Sequence, residues 1–173
     1  MTRSKLTAGA CALLFAASLA GCGKGETPQA EAKPASDKAE VAKAVKADVV
    51  QLVADFNARD AVKAVSHDAP DYVGMTHGQL NINGPAEDLA LTKQQVADPA
   101  EKVTIADGVV DVSSAGDLAV YRTTYAYSFT DPKTKKPVTE TGNWVLGYKA
   151  QPDGAMKLAW GVISDAPAPK PAT

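Results

Sequence analysis

The sequence predicts an α+β domain in which N-terminal helices pack on an antiparallel sheet. Two observations predict it. Apolar residues recur at helical spacing early in the domain, and from Lys102 onward the period changes to two. The strand-like runs are joined by short polar turns, as antiparallel strands allow.

Ahead of the domain lies a leader. Arg3 and Lys5 form a short basic region, and an apolar run extends from about Leu6 to Leu19. That run is shorter than the ~20 residues needed to cross about 30 Å of hydrocarbon, so it reads as a secretory signal over residues 1–21. It ends in Leu19-Ala20-Gly21-Cys22, which resembles a bacterial lipobox. The resemblance implies lipidation of Cys22 and cleavage before it, with the lipid as the chain's membrane partner. Gly23 stands where an Asp would resemble an inner-membrane retention signal, so the expected location is the outer membrane, facing the periplasm. Residues 22–36 carry Pro28 and Pro34 without apolar periodicity and predict a flexible tether.

The domain is expected over residues 37–165. Asp37 and Glu40 make a capping signal. Val41, Val45, Val49, Leu52, Val53 and Phe56 then form one stripe of a helix reaching about Asn57. A shorter helix follows from about Asp60 to Val65, ended before Pro70. Tyr72–His77 reads as a strand. Asn83-Gly84 marks a turn, and Pro85 opens a helix to about Val96, since proline is favoured in a first helical turn. Val103–Ala106 reads as a strand, with Val109–Ser113 continuing it past Asp107-Gly108. Leu118–Phe129 is a long strand, Asp131–Pro137 a hairpin loop, Thr139–Lys149 the next strand, Asp153-Gly154 a turn and Met156–Ser164 the last strand. The tail 166–173 alternates proline and predicts no regular element.

Composition narrows the chemistry. The chain has two cysteines, one in the leader and one at the lipobox. The domain therefore has no disulfide, cysteine nucleophile or cysteine metal site. Loss of Arg3 and Lys5 leaves 16 basic against 20 acidic side chains, a net charge of −4. That balance argues against nucleic acid, which calls for a basic patch. No phosphate-binding glycine loop and no nucleophile elbow is present. The two histidines have no metal-ligand spacing, so neither metal nor cofactor is expected.

The closing segment carries a resemblance to a family. Thr141-Gly-Asn-Trp-Val-Leu-Gly-Tyr-Lys149, Pro152-Asp-Gly154, Met156-Lys-Leu-Ala-Trp160 and Val162-Ile-Ser164 resemble the last two strands of the SnoaL-like and kinase-association-like branches of the nuclear-transport-factor-2-like (cystatin-like) fold. Asp55-Phe-Asn-Ala-Arg-Asp60 resembles the end of that family's first helix. The resemblance implies a cone, with helices covering the concave face of a curved sheet and leaving a pocket. Two departures matter. The general-base Asp of the steroid-isomerase branch falls at Val73, and its helix Tyr falls near Leu52. That mechanism is not supported.

Within such a cone, His77 at the end of the first strand is the candidate catalytic base, since histidine titrates near neutral pH. His67 reads as a capping or solvated residue at a helix end. Tyr125 shares a strand face with Tyr121, Thr123, Tyr127 and Phe129, while Trp144, Leu146 and Tyr148 share one on the neighbouring strand. Arg122, Thr124, Asn143 and Trp160 fall on the opposite faces. Alternation alone does not say which face is concave. Arg122, Tyr125, Asn143 and Trp160 are the expected ligand-binding residues if the mixed polar–aromatic face lines the pocket. The leading functional expectation is binding of a small molecule or an accessory role in the envelope, with binding ahead of turnover. An acid–base enzyme built on His77 and a homodimerising assembly module are the alternatives.

Overall fold

A computed structural model describes residues 37–166. The leader, Cys22, the tether and tail residues 167–173 lie outside the described residues. Helix α1 spans Lys38–Asn57, and the Asp37 side chain caps it by accepting from Ala39 N at 2.8 Å. Its C-terminus is fastened by Asn57, whose amide exchanges two hydrogen bonds with the Val103 backbone at 2.8 and 2.9 Å. Arg59 then turns with positive φ, and its guanidinium donates to the carbonyls of Val96, Asp98 and Pro99. Helix α2 covers Ala61–Val65, capped by Asp60.

Strand β1 spans Asp68–Thr76, beginning four residues before the expected start. A two-residue strand β2, Ile82–Asn83, pairs back on it and precedes α3, Pro85–Gln95. Strands β3 (Lys102–Ile105) and β4 (Val109–Val112) both pair antiparallel with β5 (Leu118–Thr130). They form one bent edge interrupted at Gly108, where a Cβ would lie 2.2 Å from the Tyr121 ring. Strands β6 (Pro137–Ala150) and β7 (Met156–Ala166) complete the meander. Ala166, expected in the tail, pairs with Thr141 inside the sheet.

The sheet order is β2-β1-β7-β6-β5-β3, with β4 also on β5. All pairings are antiparallel except β1 on β7, which is parallel. A register shift in the β6–β7 pair leaves Ala159 as a bulge between the Tyr148–Leu158 and Gly147–Trp160 pairs.

The expected α+β architecture, helices on one face of a curved antiparallel sheet, is the one observed. The core fills one end of it. Val41, Val45 and Val49 of α1 pack on Ala119, Tyr121, Leu146, Tyr148 and Leu158. Leu52, Val53 and Phe56 continue the same helical stripe and border open space, Leu52 also packing against the core. Phe56 is therefore only half-buried.

Candidate functional site

Beyond the packed end, the space between the sheet and helices α1 and α3 is a cavity of about 610 Å³. The sheet contributes Tyr125, Tyr127, Glu140, Trp144, Leu158, Gly161 and Ile163, and β1 contributes Asp68, Tyr72, Gly74, Met75 and Thr76. Helix α3 presents Asp88, Leu91, Thr92 and Gln95, a helical face spaced three and four residues apart. The lining is mostly apolar with a few polar groups, the usual character of a small-molecule pocket. Gln79 and Leu80 mark the outer end, Leu80 being 92% exposed. Asp68, at 9% exposure, lies at the inner end.

The polar groups fall into three sets. The first is Asp68 with Asp88. Both line the cavity close enough to perturb each other, and Asp68 Oδ2 is buried with no hydrogen-bond partner. Two carboxylates have nothing to donate to each other, so a proton retained on one of them is what would satisfy the pair. Burial first, then the charge of Asp88, push Asp68 well above the usual carboxylate range; burial also raises Asp88. Tyr72 stands beside both, and its hydroxyl is raised by burial and by their charge. Its oxygen sits 3.0 Å from where a Cβ on Gly74 would be and 3.4 Å from one on Gly161, and Trp144 Nε1 is 3.8 Å from the latter. The two glycines give these polar tips room inside the cavity.

The second set is Tyr125 with Glu140 and Asp165, at 3.1 and 3.0 Å from its hydroxyl. Gly142 makes that reach feasible, since a Cβ there would lie 2.8 Å from the Tyr125 ring. Burial raises Glu140, and burial and both carboxylates raise Tyr125. The third set is Tyr127, which donates to Glu101 at 2.5 Å and accepts from Gln95 at 3.3 Å.

The expected site residues are not brought together. Tyr125 lines the cavity. Arg122 does not: it is exposed on the outer face and pairs with Asp111 at 2.7 Å. Asn143 is exposed on the same outer face, beside a shallow depression of about 490 Å³. Trp160 also lies on the outer face. The bulge at Ala159 leaves Leu158 facing inward and lays the indole across Gly147, where a Cβ would sit 1.9 Å away. The concave face is the aromatic one, because the chain buries its more apolar alternation. His77 is exposed in the turn after β1 and is not among the cavity residues, so it is not placed to act as a base there.

His67, read as solvated or capping, is buried. Its Nδ1 meets Asp48 at 2.7 Å and its Nε2 meets Asp55 at 3.2 Å. Asp48 also accepts from Tyr148 at 2.9 Å. A carboxylate on each nitrogen favours the charged ring and raises its pKa, the Asp48 hydrogen bond being the largest cause. This cluster ties α1 to the start of β1, outside the cavity.

The pair that sequence reasoning missed is Asp68–Asp88. The signal was present on α3, where Asp88, Leu91, Thr92 and Gln95 share one face. Asp88 instead reads as an ordinary acidic residue in a first helical turn.

The chain matches no protein-family model and no curated protein. Solved structures do match. A nuclear-transport-factor-2-like superfamily protein from Salmonella enterica superposes with TM-score 0.64 at 11% identity, covering 79% of this chain and 99% of that one. A nuclear-transport-factor-2-like protein with a cystatin-like fold from Novosphingobium aromaticivorans gives TM-score 0.61 at 14% identity, over 73% and 82%. A hexachlorocyclohexane dehydrochlorinase from Novosphingobium barchaimii gives 0.63 at 14% identity, over 71% and 84%. At these identities the likeness establishes the cystatin-like fold, a fold whose members include enzymes and so does not by itself define function.

Proposed function

We propose that this chain is an envelope protein anchored through lipid on Cys22, whose cone binds a small, largely apolar molecule carrying one polar head. The observation that carries the binding reading is the cavity of about 610 Å³, apolar along its walls, with the Asp68–Asp88 pair at its inner end. The lipobox at Leu19–Cys22 and the apolar run before it support the anchor. Trp144 lines the cavity and Trp160 does not, so a ligand changes the fluorescence of the first. Titration with a panel of small amphipathic compounds tests the reading. Trp144→Phe should abolish the signal and Trp160→Phe should keep it. The opposite pattern would refute the cavity as the site. For the anchor, Cys22→Ala should abolish incorporation of labelled palmitate and release the chain from the membrane fraction; unchanged labelling would refute it.

A second reading, acid–base turnover, is favoured by the same pair. A carboxyl that keeps its proton into the neutral range can protonate a substrate oxygen, and its ionised neighbour can take a proton back. In this reading Asp68 and Asp88 replace His77 as the acid–base groups. On a panel of isomerisable and dehydratable substrates, Asp68→Asn should remove turnover. Turnover surviving in Asp68→Asn but lost in His77→Ala would refute that assignment.

A further inference from the structure

The cavity is one-sided in charge. Of its 24 lining residues, three are carboxylic acids (Asp68, Asp88 and Glu140) and none is lysine, arginine or histidine. The cations nearest Asp68 are committed elsewhere. His67 is held between Asp48 and Asp55, and Lys157 donates to the Ser66 carbonyl at 2.7 Å. Neither lines the cavity. Asp68 is more than nine-tenths buried and lines the cavity, and its Oδ2 has no donor. The groups facing it are the Asp88 carboxyl and the Tyr72 ring. Around them stand aromatic walls, with Tyr72, Tyr125, Tyr127 and Trp144 all lining the space. Aromatic faces attract cations, most strongly when water is excluded.

We propose that the cavity selects a small amphipathic amine, its ammonium seated between Asp68 and Asp88 and its apolar body lying against Phe56, Trp144 and Ile163. The inference rests on the reading of the cavity as a binding site and adds the charge of its ligand. An ammonium carries three donors and no acceptor, enough to serve both carboxyls at once. A hydroxyl head accepts from the protonated carboxyl and donates to the other, but it brings no charge to pair with either. An anion meets three acids and no cation. The step has a defined proton balance: the protonated amine enters, both carboxyls become ionised, and the shared proton passes to solvent.

The test is a charge series on one skeleton: phenylbutylamine, phenylbutanol and phenylbutanoate, titrated calorimetrically into the full chain near pH 7. Heats measured in buffers of different ionisation enthalpy count the protons released. The amine should bind about ten- to a hundredfold more tightly than the alcohol, the span set by hydrogen bonds to charged groups. It should also release a proton, while the alcohol releases none. Alcohol binding as tight as amine binding, or amine binding without proton release, would overturn the charge assignment and leave the cavity standing as a binding site. No binding of any of the three, with Trp144 fluorescence unmoved, would overturn the binding reading and this inference with it. The series on the unaltered protein decides the matter without a variant. Asp68→Asn should in addition abolish the preference for the amine over the alcohol.

Discussion

Asp68→Asn gives the sharpest thermodynamic prediction. An unfolded chain ionises this carboxyl near pH ~3.9. Burial and the neighbouring Asp88 hold the folded group well above that. Between those two values the folded state binds more protons than the unfolded state, so stability falls as pH rises. The contribution is fully present below pH ~4 and is lost as pH climbs toward the folded value. One proton's difference corresponds to about 1.4 kcal/mol per pH unit, or about 2–3 kcal/mol between pH 5 and 7. That is a large share of a stability of about 5–15 kcal/mol. The asparagine amide that replaces the carboxyl is isosteric with it, cannot ionise, and donates a hydrogen bond to Asp88. The variant should therefore be the more stable protein at pH 7, and its pH profile should be flatter by roughly that slope. Glu101 and Glu140 also titrate at raised values, but neither acts on Asp68 and both cancel in the difference, whereas His67 and Asp88 interact with it and set how far the slope departs from one full proton. Urea unfolding followed by tryptophan fluorescence at pH 5, 6 and 7 measures the two profiles. Parallel profiles would refute the shared proton.

Packing and exposure set the other expected outcomes. Leu146 is fully buried among Val45, Val49 and Tyr148, so Leu146→Ala should cost about 2–5 kcal/mol in urea unfolding. Phe56→Ala should cost less than the ~3–5 kcal/mol of a core phenylalanine, because its ring borders open space. Gly147→Ala should displace the Trp160 indole and shift its emission without changing ligand-induced quenching at Trp144. Arg122→Ala removes an exposed ion pair with Asp111 and should change stability by about 1 kcal/mol or less, with no effect on binding.

The helices and strands were legible because periodicity is a local property. Val41, Val45 and Val49 mark the helix, and Tyr121, Tyr125 and Tyr127 the long strand. The inner face was harder to read, since alternation yields two sets of residues without labelling them. Burial chose Tyr125, Trp144, Leu146 and Tyr148 over Arg122, Thr124 and Asn143, the more polar set. The bulge at Ala159 has no local signature, yet it decides that Leu158 and Trp160 face opposite ways. Asp68 and Asp88 are twenty positions apart and meet only through the turn at Gly84 and the seating of α3 on β1. Such a pair is a property of topology and cannot be found by scanning neighbours along the chain.

The parallel pairing of β1 with β7 also constrains how the sheet is assembled. Asp68 meets Leu158 across 90 positions, and β7 stands between β1 and β6. β7, the last of the described strands along the chain, is thus the one that joins the two halves of the sheet. Until it arrives, β1 and β6 each present an unpaired edge, an invitation to pair with other chains. Closing so long a loop is slow compared with forming the β5–β6 hairpin. A nascent or truncated chain ending before Met156 should therefore hold a folded hairpin and an open, aggregation-prone edge. The last strand acts as the latch that turns two separate pieces into one sheet.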